Sequence, residues 1–316
     1  MRLNRLLNLI LIVICLVAAI GNWFVGYSPE KNTAANKSGN TDIALIDIYG
    51  TISDAPAPSP WSGASGASSN ALIDALDKAR KDKVKAILLR INSPGGSAAA
   101  AHAVYHELMR IRKETQIQII ASLGDVAASG VYYIASAAHH IVADPSSLTG
   151  SIGVIIRTQN VSNLLEKVGV ETGAIKSGAL KDLLSPFRAT TANEQQLLQS
   201  IVQDSYQQFL EAIAAGRQLP ISDIKPLADG RILTGSQAKA SKLVDSLGNY
   251  RDALNTTATL AKIKGDPKVR NYTRGLSGSL LSRLLPNAKE TPTLEEVSSF
   301  FANAANHYPL PLTLLE

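Results

Sequence analysis

Cysteine is almost absent from this chain. Cys15 stands alone, so no intrachain disulfide can form, and the redox state of the compartment goes unrecorded in the sequence. Aromatic residues are also scarce, at 5% with two tryptophans. The 31 lysines and arginines give a net charge of +5 and a pI near 9.2. They are spread along the chain, with no basic block and no interleaved aromatic stripe, so nucleic-acid binding has no support. No G-x-x-x-x-G-K-[ST] pattern is present, which argues against ATP-driven work by this chain. No G-x-S-x-G elbow is present either. His102 and His106 share a helix face in HAVYH, but Ala103 stands where a zinc peptidase helix needs its glutamate, so they read as surface histidines. No metal, nucleotide or other cofactor is implied.

Apolar residues make up 45% of the chain and charged residues 18%, enough for a sizeable core. One long apolar run lies at the start. Leu6–Gly26 holds only Asn8 and Asn22 as strongly polar members, and Arg2 and Arg5 precede it. At about 1.5 Å per residue it spans a hydrocarbon layer of about 30 Å. Trp23 and Tyr27 close it with interfacial aromatics. A cleaved signal peptide has a shorter apolar core followed by a small-x-small site, and here the candidate site, Val17-Ala18-Ala19, lies inside the run. The expectation is an uncleaved signal anchor over residues 1–27, with the body of the protein on the extracytoplasmic side of the cell membrane. Residues 28–41 read as a polar linker, 42–270 as the folded domain, and 271–316 as a tail with an amphipathic stretch near Leu294–Ala305.

Within the domain a grammar repeats. DIALIDIYGTI is a first strand, and NALIDALDKARKD an amphipathic helix. VKAILLRI runs into NSPGGS, QIQIIASL into GDVAASG, and HIVAD into PSSLTGSIGV. Helices are expected over Ala98–Lys113, Ser129–Ala138 and Thr191–Gly216, the last with Glu194 placed for a capping box. Another strand–helix–strand unit is expected over Gly153–Lys176, and a last strand in KVRNYTR. Continuous apolar strands alternating with helices predict an α/β fold with buried, mostly parallel strands, whose Gly-rich ends are where such folds build sites.

Two of those ends carry possible chemistry. NSPGGS places two adjacent glycines at a strand end, where backbone N–H groups can approach a ligand closely; an ordinary turn has the same composition. Ser129, between Ala128 and Gly130, falls at a helix start. It could be a nucleophile facing the unpaired N–H groups there, or a plain N-cap. A partner base is harder to find. A helix of this length carries His139 and His140 some 15 Å from Ser129, roughly. That leaves a lysine, which works as a base only when uncharged, and composition does not say which.

NSPGGS, SLGDVAASGVYYIASAAHHIVADPSSLTGSIGVI, IKSGALKDLLSP and ADGRILTGSQAKASKLVDSLG occur in that order. Together they resemble the bacterial signal peptide peptidases of the SppA (protease IV) type, short single-unit form. The resemblance runs from about Ile43 to Ala261. It implies a Clp protease/crotonase-like α/β fold of repeated ββα units and a serine endopeptidase with a Ser/Lys dyad. The family's serine falls on Ser129, its lysine on Lys181, and a lysine-orienting serine on Ser151. The oxyanion donors fall on Gly96 and Gly130. Val131 stands where many relatives carry a second glycine. The resemblance also implies a homo-oligomeric ring whose neighbouring subunits complete each site, and unstructured apolar peptides, such as signal peptide remnants, as substrates at the membrane lipid surface. A rival class is a crotonase-like acyl-thioester enzyme, or an inactive membrane scaffold of the same fold.

Overall fold

The computed structural model describes residues 41–54 and 66–273. In chain order the elements are β1 (Ile43–Tyr49), β2 (Thr51–Ser53), β3 (Gly66–Ser68), α1 (Ser69–Lys81), β4 (Ala86–Ser93), α2 (Ala98–Glu114), β5 (Gln118–Ala128) and α3 (Gly130–Ser136). There follow β6 (His140–Ala143), β7 (Leu148–Gly150), α4 (Ser162–Lys167), α5 (Ala192–Arg217), α6 (Ile221–Ile224), a short 3-10 turn, β8 (Ile232–Thr234), α7 (Gly235–Ala240), β9 (Ser246–Leu247), α8 (Tyr250–Leu260) and β10 (Val269–Asn271).

The apolar runs form a sheet in the order β10-β1-β4-β5-β6-β9, parallel throughout. Parallel strands need covered faces, and the faces here are unequal. The large core joins Ile46, Ile48, Leu89, Ile91 and Ala121 to residues of α1, α2, α3 and α5. A smaller core on the other side joins Ile43, Leu45, Leu88, Ile120 and Val142 to Ala253 of α8. β2 and β3 pair separately, beside the main sheet.

β5 is the strand that positions the site. Its first half pairs with β6 and its second half with β7. On its other side the register with β4 slips: Ile91 faces Leu123 but Ser93 faces Ala127. Gly124, Asp125 and Val126 therefore bulge, bending the strand and re-aiming its end. The bulge is tied down by side chains. Asn92 accepts from the Val126 N–H at 3.2 Å and donates to Asp125 at 2.9 Å. The buried Ser147 hydroxyl bonds the Leu123 and Gly124 carbonyls. β8 closes against β7 in the antiparallel sense, so the sheet is mixed.

The expected capping box of α5 is present, with the Thr191 hydroxyl accepting from the Glu194 N–H and the Glu194 carboxylate from the Thr191 N–H. The expected strand–helix–strand unit over 153–176 is not. Among the described residues that stretch holds α4 and no strand, and its apolar side chains face outward: Ile155 is 72% exposed, Leu164 60% and Val168 64%. Residues 155–190 instead form an arm. Its apolar pattern signals burial, but these side chains stand exposed among the described residues. No helix among the described residues is long and apolar enough to cross a membrane. The expected span Leu6–Gly26 and the stretch Leu294–Ala305 lie outside the described residues.

Gly216 near the end of α5 gives a stability test. A Cβ there would stand 2.2 Å from the Ser136 carbonyl oxygen of α3. Alanine favours most helix interiors by about 1 kcal/mol over glycine, but here the overlap forces the helices apart. Gly216→Ala is expected to destabilise by about 1–3 kcal/mol, read as a lowered denaturant midpoint.

Candidate active site

The site grows from two strand ends that meet. The turn after β4, residues 92–97, is held on one side by β2. Ile52 donates its N–H to the Gly95 carbonyl and accepts from the Ser97 N–H, both at 2.9 Å. A residue flanked in this way turns its own N–H and C=O to the opposite edge, so Gly96 faces away from β2. The approach is too close for any side chain, since a Cβ on Gly96 would stand 2.0 Å from the Ile52 oxygen. The Ser93 hydroxyl fixes the turn by accepting from the Gly95 N–H at 3.1 Å.

On that opposite edge lies the end of β5. Gly95 has φ +99°, and a Cβ there would meet the Ala128 oxygen, the Gly130 nitrogen and the Ser129 Cβ at 2.8–2.9 Å. A Cβ on Gly130 would stand 3.4 Å from the Gly96 nitrogen. The Gly96 and Gly130 N–H groups thus lie in one neighbourhood, and neither has an acceptor among the described residues. Two free donors beside a hydroxyl form the arrangement that receives an oxyanion.

Ser129 stands at the N-cap of α3 but makes no side-chain capping bond. Its backbone has φ 56° and ψ −127°, a strained conformation for a side-chain-bearing residue. It is held there by its N–H, which donates to the Gly150 carbonyl at 2.9 Å, and by its carbonyl, which accepts from the Tyr133 N–H at 3.0 Å. The N-cap reading of the sequence therefore fails on geometry: the position is right and the bond is missing. Ser129 is half-buried.

Ser151 comes to the same place through the sheet. Ala128 and Gly150 are the last paired residues of β5 and β7, so Ser129 and Ser151 each lie one step beyond the pair. Ser151 also has a left-handed backbone, φ 49°, fixed by its N–H bond to the Arg231 carbonyl at 2.7 Å. The Thr149 hydroxyl locks β7 to β5 by donating to the Ala127 carbonyl at 2.6 Å. Gly95 is one of the two glycines that NSPGGS put forward, whereas Thr149, Ser147 and Asn92 are supporting residues whose roles the sequence alone does not single out. Alternation of small polar residues along GDVAASG and PSSLTGS was the available signal.

Lys181 is not brought to Ser129 in this way. It is exposed, on a turn of the 155–190 arm, and no hydrogen bond or ion pair involves its amine among the described residues. The histidines are accounted for elsewhere. His102 and His106 are exposed and stack on each other at 6.2 Å. His139 accepts from the Ile119 N–H at 3.0 Å, and burial pushes its pKa down. His140 bonds Ser246 at 2.9 Å. No group of acidic, histidine or cysteine side chains suited to a metal ion occurs among the described residues.

Comparison with known proteins fits this geometry. Residues 111–264 match peptidase family S49, and residues 63–149 match the Clp protease family. A Synechocystis sp. protein named as a protease is 40% identical, over 80% of this chain and 90% of its own length. An Enterococcus faecium protein named as signal peptide peptidase SppA is 34% identical, over 89% of this chain and 83% of its own. Protease 4 of Salmonella typhi is 38% identical over 75% of this chain, which is 37% of that longer protein.

The glycine contacts can be tested without a substrate. Gly95→Ala or Gly96→Ala pushes the turn off Ser129 or off Ile52. Either change is expected to slow acylation of Ser129 by a serine-directed fluorophosphonate about 10²-fold or more, followed as a labelling rate with circular dichroism as the control for folding.

Proposed function

This chain belongs to peptidase family S49 and is a serine peptidase, and we propose that it works as a Ser129/Lys181 endopeptidase on unstructured apolar peptides. The observation that carries the reading is Ser129 itself. It is a strained, half-buried serine that caps nothing and sits against two free backbone donors. In the first step the Ser129 Oγ attacks the scissile carbonyl carbon while the Lys181 amine takes the hydroxyl proton. The Gly96 and Gly130 N–H groups receive the oxyanion. The C–N bond breaks, and Lys181 returns the proton to the leaving amine. Water then attacks the acyl carbon while Lys181 takes its proton, the C–Oγ bond breaks, and Lys181 returns the proton to the Ser129 Oγ, releasing the acid product. Ser151, like Ser129 one step beyond the last β5–β7 pair, orients the amine.

Lys181 reaches the serine from another copy of the chain in this reading. Support comes from the arm that carries it. Ile155, Leu164, Val168 and Phe187 are exposed there and are not suited to water. A ring of copies covers these side chains and brings each arm over a neighbour's site. Burial in that contact favours an uncharged amine. Signal peptide remnants suit such an enclosure, because an extended chain enters where a folded one does not, and an anchor at Leu6–Gly26 holds the site at the extracytoplasmic membrane surface where these remnants arise. The family membership sets aside the acyl-thioester reading.

Ser129→Ala and Lys181→Ala are each expected to lower hydrolysis of an apolar peptide by about 10³-fold or more. Co-expression of the two variants is expected to restore activity, because a Ser129→Ala copy supplies the lysine that a Lys181→Ala copy lacks. Activity is expected to rise with pH between about 5 and 9, since an amine base works only after losing its proton. A flat profile, or full activity in either single variant, refutes the dyad.

A further inference from the structure

The arm that carries Lys181 has little apolar burial to hold it, so some other force must fix the base. Residues 171–181 are all exposed. The turn itself is stitched only locally, by Lys181 N–H to Gly178 O and Leu183 N–H to Leu180 O, both at 3.1 Å. What ties it to the body is a chain of charges. Asp182, the residue directly after Lys181, accepts from Arg188 through both oxygens, at 2.7 and 2.8 Å, and from Lys176 at 2.6 Å. The same guanidinium grips Glu194 through two nitrogens, one of them at 2.9 Å. Glu194 has a side chain only 3% exposed and is fixed in the capping box of α5 by the Thr191 N–H at 2.8 Å.

We propose that Arg188 is a positioning residue for the catalytic base: it clamps Asp182 to the buried Glu194, which aims Lys181 and keeps the neighbouring carboxylate away from its amine. The inference rests on the reading of Lys181 as the base. Single exposed ion pairs contribute little, but a bidentate guanidinium between two carboxylates, one of them buried, sets geometry as well as charge. The clamp also uses up Asp182. Both of its oxygens are engaged by Arg188 and Lys176, which holds its carboxyl well below the usual carboxylate range. Arg188 and Thr191 likewise draw Glu194 down to about 2. Both groups therefore stay ionised wherever the enzyme works. The charged groups in this network are Lys176, Asp182, Arg188 and Glu194. Were Asp182 freed, it would be the nearest anion to Lys181 in sequence, and an anion beside an ammonium stabilises the charged form. The base would then need a higher pH to lose its proton.

The variant Arg188→Ala is expected to lower kcat at least about tenfold with KM little changed. The rising limb of activity should move to higher pH by about one unit. Adding Asp182→Asn to that variant removes the freed charge and is expected to return the limb to its wild-type position, even if kcat stays low. Added guanidinium should recover part of the lost kcat. A purely structural role for Arg188 moves the amount of folded enzyme but not the limb. An unmoved limb, or a limb that Asp182→Asn fails to return, therefore overturns the proposal. Co-expression separates this from failure of the dyad reading. Where Ser129→Ala and Lys181→Ala restore each other, Arg188→Ala should be restored by Ser129→Ala and not by Lys181→Ala. The opposite pattern assigns Arg188 to the serine side and overturns the inference while leaving the dyad intact. A Lys181→Ala enzyme with full activity removes the dyad reading, and the inference with it.

Discussion

The site depends on a backbone approach that tolerates no side chain. β2, the turn after β4 and the end of β5 lie in consecutive contact, and the middle member is two glycines. Gly96 fits against the Ile52 carbonyl only without a Cβ, and Gly95 fits against Ser129 for the same reason. Had either position carried a side chain, the two donors and the hydroxyl would stand apart. The glycines cost conformational entropy on folding, and the two 2.9 Å bonds from Ile52 offset part of that cost while setting the direction of the Gly96 N–H.

The second constraint is the bulge in β5. β6 is four residues long and pairs only with the first half of β5, Ile120–Leu123. Past the slip opposite Ile91 and Ser93, the second half of the strand has β7 as its neighbour in place of β6. That change brings Ser129 and Ser151 side by side, both with positive φ. Strain at two adjacent serines costs of order 1–3 kcal/mol each and persists because bonds surround it: Ser129 to Gly150, Ser151 to Arg231, Thr149 to Ala127, and Asn92 across the bulge. The hydroxyls are presented by the rigid part of the molecule.

Much of the fold could be read in advance because burial on both faces leaves a plain mark. VKAILLRI and QIQIIASL are apolar without alternation, and they became β4 and β5. Thr191 and Glu194 carry their capping chemistry in their own side chains, so the start of α5 was legible. Ser129 was not, because a nucleophile and an N-cap ask for the same residue at the same place. Only the missing capping bond and the φ of 56° separate them. The stretch 153–190 misled for a different reason. Ile155, Leu164 and Val168 look like core residues, yet within this chain they meet water. A sequence records that a side chain avoids water but not whose surface does the covering. Lys181 is a candidate by family resemblance alone, since an exposed lysine on a turn has no local signature.

The two halves of the proposed site are therefore held by different physics. The serine half is fixed by backbone bonds, close glycine contacts and the large core, none of which responds much to ionic conditions. The lysine half is fixed by Lys176, Asp182, Arg188 and Glu194 on an arm whose apolar side chains await a cover. In the proposed reading, a base on such an arm is kept apart from the nucleophile in a lone chain, where an activated serine would be a hazard, and is brought to it only when copies assemble. Charges suit this task better than apolar packing does. They hold the turn in shape while its apolar face stays exposed, and in the proposed reading they keep the adjacent Asp182 carboxylate from binding the amine. On that proposal, assembly and activation are one event.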